Sequence, residues 1–200
     1  MTDFGAFYRE HVADVSALAA DLSRDELATT VPATPEWTVG LVLCHLAGGA
    51  SDGLSGRMDG APSPEWTARH VGERADRPLA EVLAELQANQ DAVAGSLEGN
   101  PFPAAAFDIA VHHADLHEAL GRSRLPEQLW LPVLDAMRPR INPALADAVP
   151  PYELFRGLFS RRSRRQMQGW SSPLSEEELD EVCIFGPRED DQPVPDGMSA

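Results

Sequence analysis

The sequence contains no lysine and only two cysteines. All 16 basic residues are arginines, and 32 acidic residues bring the formal net charge to −16. Such an acidic surface repels phosphate groups, so we expect neither a nucleic-acid partner nor an anionic membrane. Cys44 and Cys183 are too few and too far apart for a disulfide framework or an all-cysteine zinc site.

Long apolar runs and common targeting patterns are also missing. The longest apolar runs, such as residues 41–46, are far shorter than the roughly 20 residues of a membrane-spanning helix. The first residues, Met-Thr-Asp, are not a basic stretch followed by an apolar one, so we expect a cytoplasmic protein. No glycine-rich phosphate-binding motif stands out, and we expect no nucleotide or organic prosthetic group.

Helical periodicity dominates what is present. Apolar residues at three- and four-residue spacing, together with caps and prolines at helix starts, predict four long helices. These cover residues 3–22, 38–58, 78–99 and 103–121. Shorter helical stretches are predicted at 127–141 and 151–160, a proline-bearing loop at 30–35, and a single strand at 182–185.

This pattern is typical of an all-α fold. We predict a four-helix bundle with extra short helices and a small C-terminal extension, built as one domain over residues 1–188. Residues 189–200 carry prolines, acids and small residues, which predicts a disordered tail.

The fourth helix carries the clearest chemical signal. At 100° per residue, Asp108, His112 and Asp115 lie on one largely apolar face, with Asp108 and His112 on adjacent turns. A carboxylate and an imidazole at that spacing can reach one ion at zinc's ~2.0–2.2 Å ligand distances. His113 and His117 form a second pair on the opposite side. The alternative is a carboxylate balanced by an arginine beside a neutral core histidine.

His45 is the best candidate for a third ligand. It lies within the second helix, where Gly48 and Gly49 leave room beside the imidazole, although a lone histidine on an apolar helix can also be an ordinary core residue. His11 and His70 lie on more polar stretches and are predicted at the surface. Two histidines and one carboxylate leave a coordination position open for a thiolate or for water, and the spacing does not choose between them.

The residues around these candidates resemble a known family. The segment from Trp37 to Leu46 resembles the second-helix motif of the DinB-like mycothiol-dependent maleylpyruvate isomerases, and the segment from Asp108 to Leu116 resembles their second motif. Residues 155–166 and 185–188 resemble the closing segment of shorter family members. The resemblance covers residues 4–188 and keeps the order of the motifs.

The resemblance implies a divalent metal, zinc or else nickel, iron or manganese, held by His45, Asp108 and His112. It also implies mycothiol as a co-substrate that adds to a small electrophile, giving an isomer or a thioether. Asp108 stands where the isomerases carry the longer Glu, and the larger members have a second α/β domain for which 200 residues leave no room. We therefore do not expect maleylpyruvate itself to be the substrate.

Other residues have less specific patterns. Arg161 and Arg162 open a basic cluster that could anchor a substrate carboxylate, or could pair with the acidic run at 176–181. Asp115 could orient a ligand histidine or pair with an arginine, and Trp37 is expected to pack at a helix start. A non-catalytic metal-binding stress or regulatory protein is the alternative function, and a metal-assisted hydrolase is the third.

Overall fold

The computed structural model describes residues 2–170 and 175–195. The chain packs as two compact units, residues 1–121 and 122–200. The single-domain prediction for residues 1–188 stays a prediction. Within the described residues, no helix combines the length and the apolar character needed to cross a bilayer.

The first unit contains six helices among its described residues. They are α1 (Phe4–Ala20), α2 (Arg24–Leu27), α3 (Val39–Ser55), α4 (Pro64–Gly72), α5 (Leu79–Ser96) and α6 (Ala104–Ala119). The four long ones, α1, α3, α5 and α6, lie within the ranges that the periodicity predicts, and the mostly helical fold class is confirmed.

The ends of these helices follow from local chemistry. Asp3 accepts a hydrogen bond from the backbone of Ala6 at the start of α1, and Thr38 accepts one from Leu41 at the start of α3. After α3 the chain turns at Gly56, whose φ of 74° is a conformation that glycine adopts without strain. The Asp3 and Thr38 side chains satisfy backbone N–H groups that the first turns leave without partners, and the backbone N–H of Gly56 donates to the carbonyl of Asp52 in the last turn of α3.

The four long helices form a closed ring of neighbours. Helix α5 contacts α1 and α3, and α6 contacts the same two helices from the other side. This is the arrangement of a four-helix bundle, with fully buried side chains from each helix in its core. Examples are Val12, Val42, Leu86 and Ala110.

A short hairpin precedes α3. Strand β1 (Thr30–Val31) pairs antiparallel with β2 (Thr34–Thr38), so the predicted loop at 30–35 was wrong in part. A two-residue strand is too short to produce an alternating pattern in the sequence. The hairpin brings the chain directly into the first turn of α3, with Trp37 just before the capping residue Thr38.

The second unit consists of shorter elements. They are the 3₁₀ helices Glu127–Leu129 and Arg138–Arg140, and α7 (Leu131–Met137), α8 (Pro143–Ala148), α9 (Pro151–Leu158), α10 (Arg164–Gln168) and α11 (Glu176–Val182). Helix α7 packs on α9, and α10 packs on α11. Trp130 stacks on Phe155 with ring centroids 6.0 Å apart, which joins the first pair.

The predicted strand at residues 182–185 was wrong. Val182 ends α11, whose acidic first turn begins with a capping box at Ser175, and the chain turns at Ile184. The apolar run is too short to outweigh this helix start. Residues 189–195 have no helix or strand, and the rest of the predicted disordered tail, 196–200, lies outside the described residues.

Candidate metal centre

The structure brings His45, Asp108 and His112 together. The Nε2 atom of His45 lies 3.4 Å from Oδ2 of Asp108, and Nε2 of His112 lies 3.6 Å from Oδ1 of the same carboxylate. One ligand atom from each of the three side chains lies within 4.8 Å of the others. The group could therefore hold a metal ion.

These separations fit the geometry of zinc. Two ligands at about 2.1 Å from one ion, at a tetrahedral angle, lie roughly 3.4 Å apart. The two nitrogen–oxygen distances, which end on different oxygens of the Asp108 carboxylate, lie within a few tenths of an ångström of that value. Imidazole nitrogen and carboxylate oxygen are also ordinary zinc ligands. The donor set and its spacing therefore fit one divalent ion.

The site has a buried side and a side that faces solvent. His45 and His112 are 3% and 5% exposed, whereas the Asp108 side chain is 45% exposed. Helices α3 and α6 place the histidines inside the bundle, and the carboxylate one turn before His112 reaches the surface. Of the three candidate ligands, Asp108 is therefore the one that solvent reaches.

His112 is backed by Asp115 on the same helix. The Nδ1 atom of His112 lies 3.0 Å from Oδ2 of the fully buried Asp115 carboxylate, in a poorly aligned contact. Burial lowers the pKa of His112, while the nearby carboxylates of Asp115 and Asp108 act in the opposite direction. A neutral imidazole whose Nδ1 faces a carboxylate presents Nε2 to the site, as a metal ligand requires.

His45 is backed by His70, which the sequence had placed at the surface. That prediction was wrong, because His70 is fully buried and its Nδ1 lies 3.2 Å from Nδ1 of His45. On its other side, Nε2 of His70 lies 3.1 Å from Oδ2 of Asp52. Burial lowers the pKa of His70, and the proximity of His45 lowers it further.

Asp52 is a buried carboxylate held by two arginines. Its side chain has no exposed surface, and it accepts hydrogen bonds from Arg57 and Arg69. Burial alone would raise the pKa of Asp52, but these hydrogen bonds lower it, so the group is ionised. Opposite charges and hydrogen bonds thus compensate the cost of burying this carboxylate.

Gly48 allows His70 of helix α4 to lie close to His45 of helix α3. A methyl group at Gly48 would lie 2.6 Å from Cγ and 2.9 Å from Cα of His70, so α4 packs directly onto the glycine backbone. The sequence offered signals for this contact. Glycines follow His45 by one turn, Asp52 lies seven residues after it on the same face, and Trp66 precedes His70 by one turn of α4.

Aromatic side chains surround the histidines. The Trp37 ring lies 4.8 Å from the His45 ring and 6.1 Å from the His112 ring, while it packs at the start of α3 as predicted. Trp66 contacts His70, with ring centroids 4.1 Å apart. Tyr8, which sequence reasoning missed, is buried, and burial together with the charge of Asp108 raises its pKa.

His113 belongs to a different cluster from its neighbour His112. Its Nδ1 lies 3.0 Å from Nδ1 of His11, and both rings are buried, so the surface prediction for His11 was wrong. Burial, followed by the proximity of His11 and His117, lowers the pKa of His113 to about 2. The opposite-face arrangement predicted for His113 and His117 matches this placement.

Arg161 and Arg162 lie in the second unit. Arg162 is fully buried, with its Nε 2.6 Å from Oε2 of Glu153, and Nη1 of Arg161 donates to the carbonyl of Phe159. Within the same cluster Arg164 pairs with Asp180, as expected of the acidic run at 176–181. A substrate-anchoring role for Arg161 and Arg162 stays a prediction.

Comparison with known proteins identifies a family. A family model of the DinB superfamily matches residues 7–120, more than half of the chain. The matched range contains all three candidate ligands and the four long helices except the first three residues of α1. No curated protein and no solved structure matches the chain.

Proposed function

This chain belongs to the DinB superfamily, which is metal-binding, and we propose that it holds one divalent metal ion through His45, Asp108 and His112. We further propose that the ion is zinc and that it serves a thiol-dependent transferase or isomerase reaction on a small electrophile. The observation that carries the proposal is the convergence of three ligand atoms within 4.8 Å, two from buried imidazoles and one from a partly exposed carboxylate.

The exposed side of the site favours a catalytic over a structural ion. Two histidines and one carboxylate would leave a coordination position open, and the 45% exposure of the Asp108 side chain supports a site that solvent can reach. A divalent ion in such a site lowers the pKa of a coordinated thiol and so supplies a thiolate nucleophile at neutral pH. Mycothiol is the thiol that we propose, on the resemblance of residues 37–46 and 108–116 to the isomerase motifs.

The protein's own residues have defined parts in this proposal. His45 and His112 present Nε2 to the ion because their Nδ1 atoms face His70 and Asp115. Trp37 covers the two rings and limits the access of water on its side. Tyr8 keeps its proton at neutral pH, because burial and the Asp108 charge both raise its pKa, so its hydroxyl can act as a hydrogen-bond donor close to the site.

Metal content tests the ligand assignment. We expect His45→Ala and His112→Ala each to lose bound zinc, measured by elemental analysis after dialysis, because each removes a nitrogen ligand. His113→Ala is the matched control: it removes a buried histidine from the same helix, on the His11 side, and should keep the metal. Equal metal content in the three variants would refute the assignment.

Cobalt spectroscopy tests the thiol. Mycothiol added to the cobalt-substituted protein should produce a sulfur-to-cobalt charge-transfer band, and S-methylated mycothiol, which cannot form a thiolate, should not. An unchanged spectrum at saturating mycothiol would refute thiol coordination. The non-catalytic metal-binding alternative would then be the better description of the protein.

A further inference from the structure

We propose that His70 and Asp52 form a hydrogen-bond chain that positions the ligand His45 and fixes which of its nitrogens faces the metal. The inference rests on the proposed metal site and concerns residues outside the ligand set. It follows from two consecutive separations, the first between His45 and His70 and the second between His70 and Asp52.

The hydrogen-bond chain allows only one arrangement of protons when Nε2 of His45 binds an ion. A neutral His45 then carries its proton on Nδ1, which lies 3.2 Å from Nδ1 of His70. Two protonated nitrogens cannot face each other at that distance, so Nδ1 of His70 accepts. His70 therefore carries its proton on Nε2, which donates to Oδ2 of Asp52 at 3.1 Å.

The far end of the chain is fixed as well. The Asp52 carboxylate is fully buried and accepts hydrogen bonds from Arg57 and Arg69, so it is ionised and can only accept from His70. Every contact from the arginines to His45 thus has a donor and an acceptor. The ionised Asp52 carboxylate, held by its arginines, thus determines that His45 presents Nε2 to the metal site.

Packing holds the central ring in place. Gly48 lets the backbone of α4 approach α3, and Trp66 packs edge-on against His70 with ring centroids 4.1 Å apart. His70 itself has no exposed surface. The ring therefore has little freedom to turn away from His45. Its role is that of a positioning residue, because it acts through His45 and does not reach the ion.

Zinc affinity of three variants provides the first test. His70→Leu introduces an apolar side chain of similar size that cannot accept a hydrogen bond from His45, so we expect the zinc Kd to rise about 10- to 100-fold. His70→Asn places an amide oxygen near the position of Nδ1 and should recover most of that loss. His113→Leu is the control, because it alters the other buried histidine cluster. Its zinc Kd should stay within about twofold of the original value, far below the roughly 10- to 100-fold rise expected for His70→Leu.

Histidine ¹⁵N NMR of the zinc-loaded, unsubstituted protein provides the second test and needs no variant. We expect slowly exchanging protons on Nδ1 of His45 and on Nε2 of His70. A proton on Nδ1 of His70 in the zinc-bound protein would overturn the proposal, as would a His70→Leu protein that binds zinc as tightly as the original. If His70→Leu does not fold, the NMR result and His70→Asn decide.

The two proposals fail in different ways. A protein that binds no zinc, or binds it equally well without His45, refutes the metal site itself. Zinc bound through His45 but insensitive to His70 refutes only the positioning chain.

Discussion

Replacing Gly48 with alanine should weaken both the fold and the metal site, because His70 occupies the space that the new methyl group needs. That methyl would lie 2.6 Å from Cγ and 2.9 Å from Cα of His70, whereas carbon atoms in contact normally keep about 3.5–4.0 Å. Cα belongs to the backbone, so a side-chain rotation cannot relieve the overlap. Helix α4 has to move away from α3.

Gly53→Ala is the matched control on the same helix. A methyl group at Gly53 would meet nothing within 4 Å. Both alanines improve helix propensity by up to ~1 kcal/mol, so the difference between the two variants isolates the cost of overpacking, about 1–3 kcal/mol. We expect Gly53→Ala to be slightly more stable than the original protein and Gly48→Ala to be less stable than Gly53→Ala by that amount.

Urea unfolding of the metal-free proteins, followed by circular dichroism, measures this difference. Zinc titration of the same samples measures the effect on the site, where Gly48→Ala should bind more weakly because His70 is displaced from His45. Equal stabilisation by the two alanines would refute the close packing of α4 on α3. Unequal stability with equal zinc affinity would show that the packing does not reach the ligand.

Two further predictions concern the partly buried ion pairs around Glu85 and the tryptophan next to His45. Burial would raise the pKa of Glu85, but hydrogen bonds from Arg74, Ser51 and Arg77 lower it to about 2. The ionised carboxylate should therefore stabilise the fold by up to about 3 kcal/mol above pH 5, and this contribution should be lost as the pH falls toward 2. In urea unfolding of the metal-free protein, Glu85→Gln should have a lower free energy of unfolding at pH 7 than the original protein. That free energy should also fall less as the pH is lowered. A pH profile parallel to that of the exposed control Glu10→Gln would contradict this prediction. Trp37 should dominate the fluorescence quenching caused by cobalt, because its ring lies 4.8 Å from the His45 ring, so Trp37→Phe should abolish most of the quenching; persistence of the full effect would contradict that placement.

The sequence was sufficient for the long helices and for the convergence of the three candidate ligands. Helical periodicity and caps are local signals, and they place Asp108 and His112 on adjacent turns of one face of α6 and His45 within an apolar helix. The same rules applied to α6 separate His112 from His113, which the structure places in different clusters. The assignment of a metal to this group stays a prediction.

The surroundings of the ligands could not be read in the same way. Helix α4 is short and carries charged residues, so its local pattern predicts a surface helix, yet His70 is completely buried. What buries it is the glycine backbone of α3 on one side and the ion pairs around Asp52 on the other. Both are contacts between residues distant in sequence. His11 was misplaced for a similar reason, since its partner His113 lies 102 residues away.

Adjacent histidines on α6 also limit how this helix can change in length. His112 faces Asp108 and His45, whereas His113, one residue later, packs against His11. Inserting or deleting one residue before His112 would rotate everything that follows by about 100°. The imidazoles of His112 and His113 would then no longer face Asp108 and His11, respectively. The number of residues in α6 up to His113 is therefore constrained by two clusters at once.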